Sequence, residues 1–487
     1  MVKKIILLIS IFLLFSITGC SKENVEEKIG IRGEIKKISL DDSGRISRIL
    51  VEGKVEQDTQ YDKASIRIKD NTKIYEKDAK KELEVNSLKE GAKVEVIFEG
   101  PVAESYPVQA DAKTIIITEQ VDPIKEKINA MTLDEKIGQM FIVGIDGYDL
   151  NDNSKSLIEK YKVGGFILFK DNIKNVNQLL SLINSLKVEN SSNKIPLFLS
   201  VDEEGGKVTR MPDELKSLPT NKVIGKINDV DFSNKIGKTI AGEIKAFGFN
   251  MNFAPVLDIN NNPKNPVIGS RSFGSNPDIV TKLGIETMKG IQSENVIPVV
   301  KHFPGHGDTS VDSHIGLPIV NNDLKRLEEF ELIPFAKAIE NEADAVMIAH
   351  ILLPKVDEKN PSSMSKIIIT DILRNSLKFN GVVITDDMTM GAITKNYNIN
   401  DATIKSIKAG SDIVLICHGY DNEIGVINYV KNAVLKGEIT EERIDESVYR
   451  ILKLKEKYDL KDEIIKSVDV EKINNDIKSL LYKYKVS

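Results

Sequence analysis

The chain is expected to be an α/β protein, a (β/α)8 barrel of the TIM type preceded by a small all-β domain. Eight short, nearly continuous apolar runs alternate with helix-period stretches from Met140 onward, as parallel strands covered on both faces should. Before Asp122 the period is two, which marks half-buried antiparallel strands. Residues able to do chemistry fall just past the apolar runs, where a barrel of this kind carries its site. A doubly wound open sheet is the alternative, and no repeat of solenoid length is present.

Composition is compatible with this plan. The 487 residues are 41% hydrophobic and 29% charged, a globular balance with length for more than one domain. Net charge is −6 with Lys and Arg scattered, which argues against a nucleic-acid partner. There is no Trp, and the two Cys are Cys20 and Cys417. All five His (302, 306, 314, 350 and 418) lie beyond residue 301.

Taken in order, Lys3 and Lys4 precede an apolar run from Ile5 to Phe15, then Ile17-Thr18-Gly19-Cys20. This predicts a signal peptide over 1–19, too short for an ordinary membrane-spanning helix. The tetrapeptide resembles a bacterial lipobox, which implies lipid on Cys20, a tether over 20–28 and an extracytoplasmic protein held at a membrane surface. A plain secretory signal with an incidental Cys is the other reading. Two acyl chains would anchor stably where one would not. Cys417 then has no intrachain partner, and its run Ile413-Val414-Leu415-Ile416 predicts a buried structural thiol.

Residues 29–121 predict five or six strands, from Ile31, Ile35 and Ile38; Ile46, Ile49 and Val51; Ile66 and Ile68; Val94, Val96 and Phe98; Ile115 and Ile117. This part carries no His and no motif with a mechanism, and reads as a spacer or binding module. It loosely resembles OB-like accessory domains of exported bacterial proteins. Asp122-Pro123 marks a boundary, and 124–487 form the second domain. Thr132 to Glu135 fit a capping box. The eight runs are Met140–Ile145, Val163–Phe169, Ile195–Val201, Met251–Leu257, Ile297–Val300, Ala345–Ala349, Gly381–Thr385 and Ile413–Cys417. Helices ending near Leu480 follow.

The third run ends in Asp202-Glu203-Glu204-Gly205-Gly206, the fourth in Asp258 and the fifth in Lys301-His302. The sixth ends in His350, the seventh in Asp386-Asp387 and the eighth in His418. Singly, each is equally a cap or a core histidine; together they predict an active site on one face. In Lys301-His302-Phe303-Pro304-Gly305-His306-Gly307-Asp308-Thr309, the spacing of His302 and His306 suggests a metal site, but Pro304, Gly305 and Gly307 argue against the helix it needs. The other reading is a glycine-rich loop carrying a proton-transferring His, with Asp312 accepting the second ring N–H of His314. Alternation in Val382–Asp387 puts Asp386 and Asp387 on opposite sides and leaves the inward one open; a helix N-cap is the natural role for the other.

Four ordered segments, Val201–Gly206, Lys301–Thr309, Asp312-Ser313-His314 and Ile384-Thr385-Asp386-Asp387-Met388, closely resemble the signatures of family 3 glycoside hydrolases, in their β-N-acetylglucosaminidase branch. The resemblance runs from about residue 124 to the C-terminus. It implies that Asp386 is the nucleophile of a retaining reaction and His314 the general acid and base, with Asp312 its dyad partner. It also implies sugar binding by Asp202, Arg210, Arg271, Lys301 and His302. No cofactor and no metal are implied. A loop His lets one barrel hold both roles, where β-glucosidases of the family generally take a carboxylate from a second domain. The implied substrate is a terminal β-linked N-acetylglucosamine on a short chain, with peptidoglycan fragments its natural source. Phosphorolysis, a non-catalytic glycan-binding lipoprotein and a metal-dependent barrel hydrolase are the alternatives. Oligomeric state is not encoded in any of these features.

Overall fold

The computed structural model describes residues 28–77 and 81–486; the expected signal peptide, Cys20 and all but the last residue of the expected tether lie outside them. The chain divides into two compact units, one through Pro123 and one from Ile124.

The first unit contains β1 (Ile31–Leu40), β2 (Ile46–Gly53), β3 (Lys63–Arg67), β4 (Lys73–Glu76), β5 (Lys93–Ala103) and β6 (Val108–Glu119). Their order is β3-β2-β1-β5-β6, and a parallel β3–β6 pairing closes the sheet into a small barrel. Farther along the same edge of β6, β4 pairs in parallel. Closure removes most of the free strand edge that an isolated sheet would offer to other chains. The interior is Ile31, Ile35, Ile49, Val51, Ile66, Val94, Val96, Ile115 and Ile117, with Ile38, Ile68 and Phe98 packed at its margin. These are the period-2 positions. Strand β4 has a single buried side chain, Ile74, and so leaves almost no periodic trace.

The second unit is a closed barrel of eight parallel strands. They are β7 (Phe141–Val143), β8 (Gly165–Leu168), β9 (Phe198–Val201), β10 (Met251–Asn252), β11 (Ile297–Phe303), β12 (Ala345–Ile348), β13 (Val382–Asp387) and β14 (Ile413–Ile416). Each lies within or across one of the eight apolar runs. Thr132 caps the helix Leu133–Gln139 through the reciprocal contacts of a capping box with Glu135. Amphipathic helices such as Val230–Phe247 and Glu441–Lys457 cover the outside, turning Ile236, Ile240, Ile244, Val448 and Ile451 inward. Each such side chain removed from water contributes roughly 1.5–3 kcal/mol before entropy is counted.

Strands β10 and β11 depart most from their runs. Strand β10 ends at Asn252, because Pro255 has no N–H to offer a ladder and only the Val256–Lys301 bridge continues the pairing. Strand β11 continues past its run through Lys301 and His302 to Phe303, since both polar side chains find partners inside the barrel mouth.

At the lower end, where the strands begin, Lys455 ties together the segments leading into β7, β8 and β9. Its ammonium donates to Gln139 Oε1 (2.8 Å), Gly164 O (3.0 Å) and Pro196 O (2.7 Å), and it stands 4.3 Å from the centre of the Phe198 ring. Burial pushes this lysine down to about 7.

Candidate active site

A pocket of about 210 Å³ opens at the opposite end, where the strands finish. Asp202, Arg210, Arg271, Lys301, His302, His314 and Asp386 all line it, so every sugar-binding candidate, the nucleophile candidate and the acid/base candidate meet there. Asp312 stands behind His314 and reaches the pocket through it. Phe253, Met347 and Leu415 supply an apolar floor.

One wall is a chain of paired charges. Lys301, 2% exposed, donates to Asp202 Oδ1 (2.6 Å) and lies 2.7 Å from Glu204 Oε1. Arg271 grips both oxygens of Glu204, Nε to Oε2 at 2.9 Å and Nη2 to Oε1 at 2.7 Å. Burial pushes Glu204 up, but the two cations outweigh it and hold the carboxyl far below its ordinary range. Arg271 Nη2 also lies 3.3 Å from His302 Nε2. A guanidinium can only donate, so that nitrogen accepts and the ring proton sits on Nδ1, 2.6 Å from Asp258 Oδ2. Asp258 is fully buried and also accepts the His306 backbone N–H at 2.6 Å. Burial raises it, and the His302 imidazole beside it brings it below the usual carboxylate value.

Local structure delivers these groups. Gly205 and Gly206 both have positive φ, which lets the chain turn back after β9 toward Arg210. Glu203 fixes that turn by accepting from Thr209 Oγ1 (2.9 Å) and Arg210 N–H (2.8 Å), and burial pushes its carboxyl up to about 7. Arg210 lines the pocket, and its Nε is buried with no hydrogen-bond partner among the described residues.

The other wall is β13 and the loop after β11. Asp386 Oδ1 accepts the Asp387 N–H at 2.9 Å and is otherwise open to the pocket. Burial raises Asp386, but the imidazoles of His350 and His302 and that N–H bring it below the ordinary carboxylate range. Asp387 lines the pocket too, but its carboxylate is occupied by the Cys417 N–H (3.0 Å), the Thr389 N–H (2.9 Å) and the Thr389 hydroxyl (2.5 Å). It therefore caps a turn and ties β13 to β14, where the sequence suggested a helix N-cap. His314 Nδ1 lies 2.8 Å from Asp312 Oδ1, and its side chain is 66% exposed. Burial raises Asp312; the backbone N–H and ring of His314 outweigh that and lower it.

The five His separate into four kinds. His302 belongs to the charged wall and His314 to the dyad. His306 is buried, bridges Thr309 Oγ1 (2.8 Å) and Ser313 Oγ (3.3 Å), and is pushed down to about 4 by burial and by His302, which keeps it neutral. His350 does not line the pocket: it is fully buried one layer below, between Ser363 Oγ (2.7 Å) and the Asp387 carbonyl (2.9 Å). His418 packs on Phe169 at 5.1 Å and lines the rim. Sequence reasoning passed over Glu204 and Asp258 as site residues. Each stands at a strand end quoted above, but only three dimensions reveal that they are the pivots on which Lys301, Arg271 and His302 turn.

An open carboxylate facing a histidine–aspartate pair, with cations and carboxylates spaced to hold hydroxyls, places this fold among barrels of the glycosidase type. The model for the glycosyl hydrolase family 3 N-terminal domain matches residues 132–454, and the chain belongs to that family. A model described only as a protein of unknown function matches 44–119. A β-hexosaminidase A of Pseudoalteromonas piscicida is 38% identical over 326 residues, 62% of this chain but only 54% of the relative. A β-hexosaminidase of Nitrosomonas eutropha is 34% identical over 58% of this chain and 81% of its own length. Among solved structures, a family 3 β-N-acetylglucosaminidase from Paenibacillus sp. superposes with a TM-score of 0.69 at 38% identity, covering 73% of this chain and 69% of that one.

Proposed function

We propose that the protein is a retaining β-N-acetylhexosaminidase that removes terminal β-linked N-acetylglucosamine from short cell-wall oligosaccharides. The observation that carries this reading is the dyad: Asp312 holds Nδ1 of an exposed His314 on the same pocket as an open, ionised Asp386. The names of the similar proteins support the choice of sugar.

In the first step Asp386 attacks the anomeric carbon. The glycosidic C–O bond breaks as the imidazolium of His314 gives its Nε2 proton to the leaving oxygen, and a glycosyl-Asp386 ester remains. Asp312 accepts the Nδ1–H and holds the ring with Nε2 free for the transfer. In the second step His314 takes a proton from water, whose oxygen displaces Asp386 with a second inversion, so configuration is retained. The paired wall is already organised, and its Asp202, Arg271, Lys301 and His302, together with Arg210, meet sugar hydroxyls without rebuilding. A neutral imidazole does not repel an anion, so phosphate as acceptor is the second reading; its product would be a sugar 1-phosphate.

Release of p-nitrophenol from the aryl N-acetyl-β-glucosaminide is the test, followed by trapping with a fluorinated N-acetylglucosaminide and peptide mapping. Label on Asp386 is expected. Full turnover by Asp386→Ala would overturn the assignment. The tether and lipid on Cys20 belong to the same proposal: an enzyme outside the membrane, acting on wall fragments there. Metabolic labelling with a fatty acid, lost in Cys20→Ser, tests that part.

A further inference from the structure

The loop carrying His314 is fastened to itself, to the Asn262 and Asn265 side chains and to a neighbouring segment. Near its base, His306 Nε2 lies 3.3 Å from Ser313 Oγ. Its tip rests on the stretch of chain that follows Asp386. The Ala392 N–H donates to the Ser313 carbonyl at 3.0 Å, and Lys395 Nζ donates to the Ile315 carbonyl at 2.7 Å. Between them Gly391 lies directly against His314. A Cβ at 391 would stand 2.5 Å from the His314 carbonyl oxygen and 3.1 Å from that of Ile315.

Gly391 opens the short helix Gly391–Thr394, and it is not among the residues with positive φ. An L side chain therefore suits its backbone, and alanine is the better helix former. The contact with His314 is what excludes one. Three consecutive loop residues thus meet a seat that belongs to the nucleophile's own segment.

We infer that Gly391 and Lys395 are positioning residues for proton transfer, setting where His314 stands relative to Asp386. Because the seat follows Asp386 on one continuous segment, nucleophile and acid/base keep their spacing although the dyad is on an exposed loop. An added methyl at 391 lifts the tip and moves the imidazole from the leaving oxygen; displacements of about 1 Å are enough to cost substantial rate. The inference rests on His314 acting as proposed above.

Leaving-group dependence tests it in the full chain. A phenyl N-acetyl-β-glucosaminide needs a proton on its leaving oxygen, whereas the 2,4-dinitrophenyl analogue scarcely does. Gly391→Ala should lower kcat/KM about tenfold or more on the phenyl substrate and less than about threefold on the dinitrophenyl one. In a His314→Ala background it should cost nothing further, since residues acting as one unit are not additive. Lys395→Met, at an exposed position that the fold does not need, should reproduce the pattern at about threefold. Equal losses on both substrates, full additivity with His314→Ala, or no loss in either variant would overturn the seat. If wild type fails on the dinitrophenyl substrate, or Asp386→Ala still turns it over, it is the glycosidase reading that falls instead.

Discussion

The two ends of the barrel solve the same problem in opposite ways. Both bury charge. Below, Lys455 meets only neutral oxygens and a ring face, and all three of its ammonium donors are used. Above, Lys301, Arg271, Glu204, Asp202, Asp258 and His302 neutralise one another in a line and still present unused donors and acceptors to a pocket. A fully satisfied charge is a structural plug. A paired but incompletely coordinated one is a binding surface, held in place before any ligand arrives.

The sharpest way to break that contrast is at the upper end. Asp386→Ala should cut kcat by at least ~10⁴-fold with the fold intact. His314→Ala should cost ~10²–10⁴-fold on substrates with poor leaving groups, with denaturant midpoint unchanged because the side chain is exposed. Glu204→Ala should do both kinds of damage: it strands Lys301 and Arg271 in a buried site, and urea titration should show a loss of about 3–5 kcal/mol together with a raised KM. Lys455→Met, at the lower end, should cost about 1–3 kcal/mol from unpaired carbonyls and leave kcat/KM untouched. The last effect is one of pH, spread over several units. Folded Lys455 loses its proton near 7 and the unfolded chain near 10.5, so unfolding takes up a proton between those values. Stability should therefore rise as pH is raised across that window, by up to about 1.4 kcal/mol per unit, and this contribution should vanish in Lys455→Met.

Much of this contrast is legible in sequence at the top and none of it at the bottom. The eight barrel strands announce themselves because burial on both faces leaves continuous apolar runs. Asp202, Lys301, His302 and the Asp386-Asp387 pair stand out because a barrel concentrates chemistry at strand ends, whereas the choice of Asp386 and the roles of His314, Arg210 and Arg271 come from the family resemblance. Glu203 and Glu204 show what escapes: adjacent and identical, one pins the Arg210 turn and the other is gripped by Arg271 and Lys301. Alternation separates them but does not say which is which. Lys455 lies in a helix of mixed charge, and nothing in Leu454-Lys455-Glu456 distinguishes it from the lysines on the solvent face. Strand β4 and the shortness of β10 escape for the reasons of local pattern given with the fold.

Cys417 lies in the pocket wall with its N–H on Asp387 and its thiol buried. Burial, with Asp387, Asp202 and Asp386 nearby, pushes that thiol well above its ordinary value. Peroxide and alkylating reagents attack the thiolate, so this sulfhydryl is kept in its inert form. A site built this way offers such reagents no thiolate at Cys417.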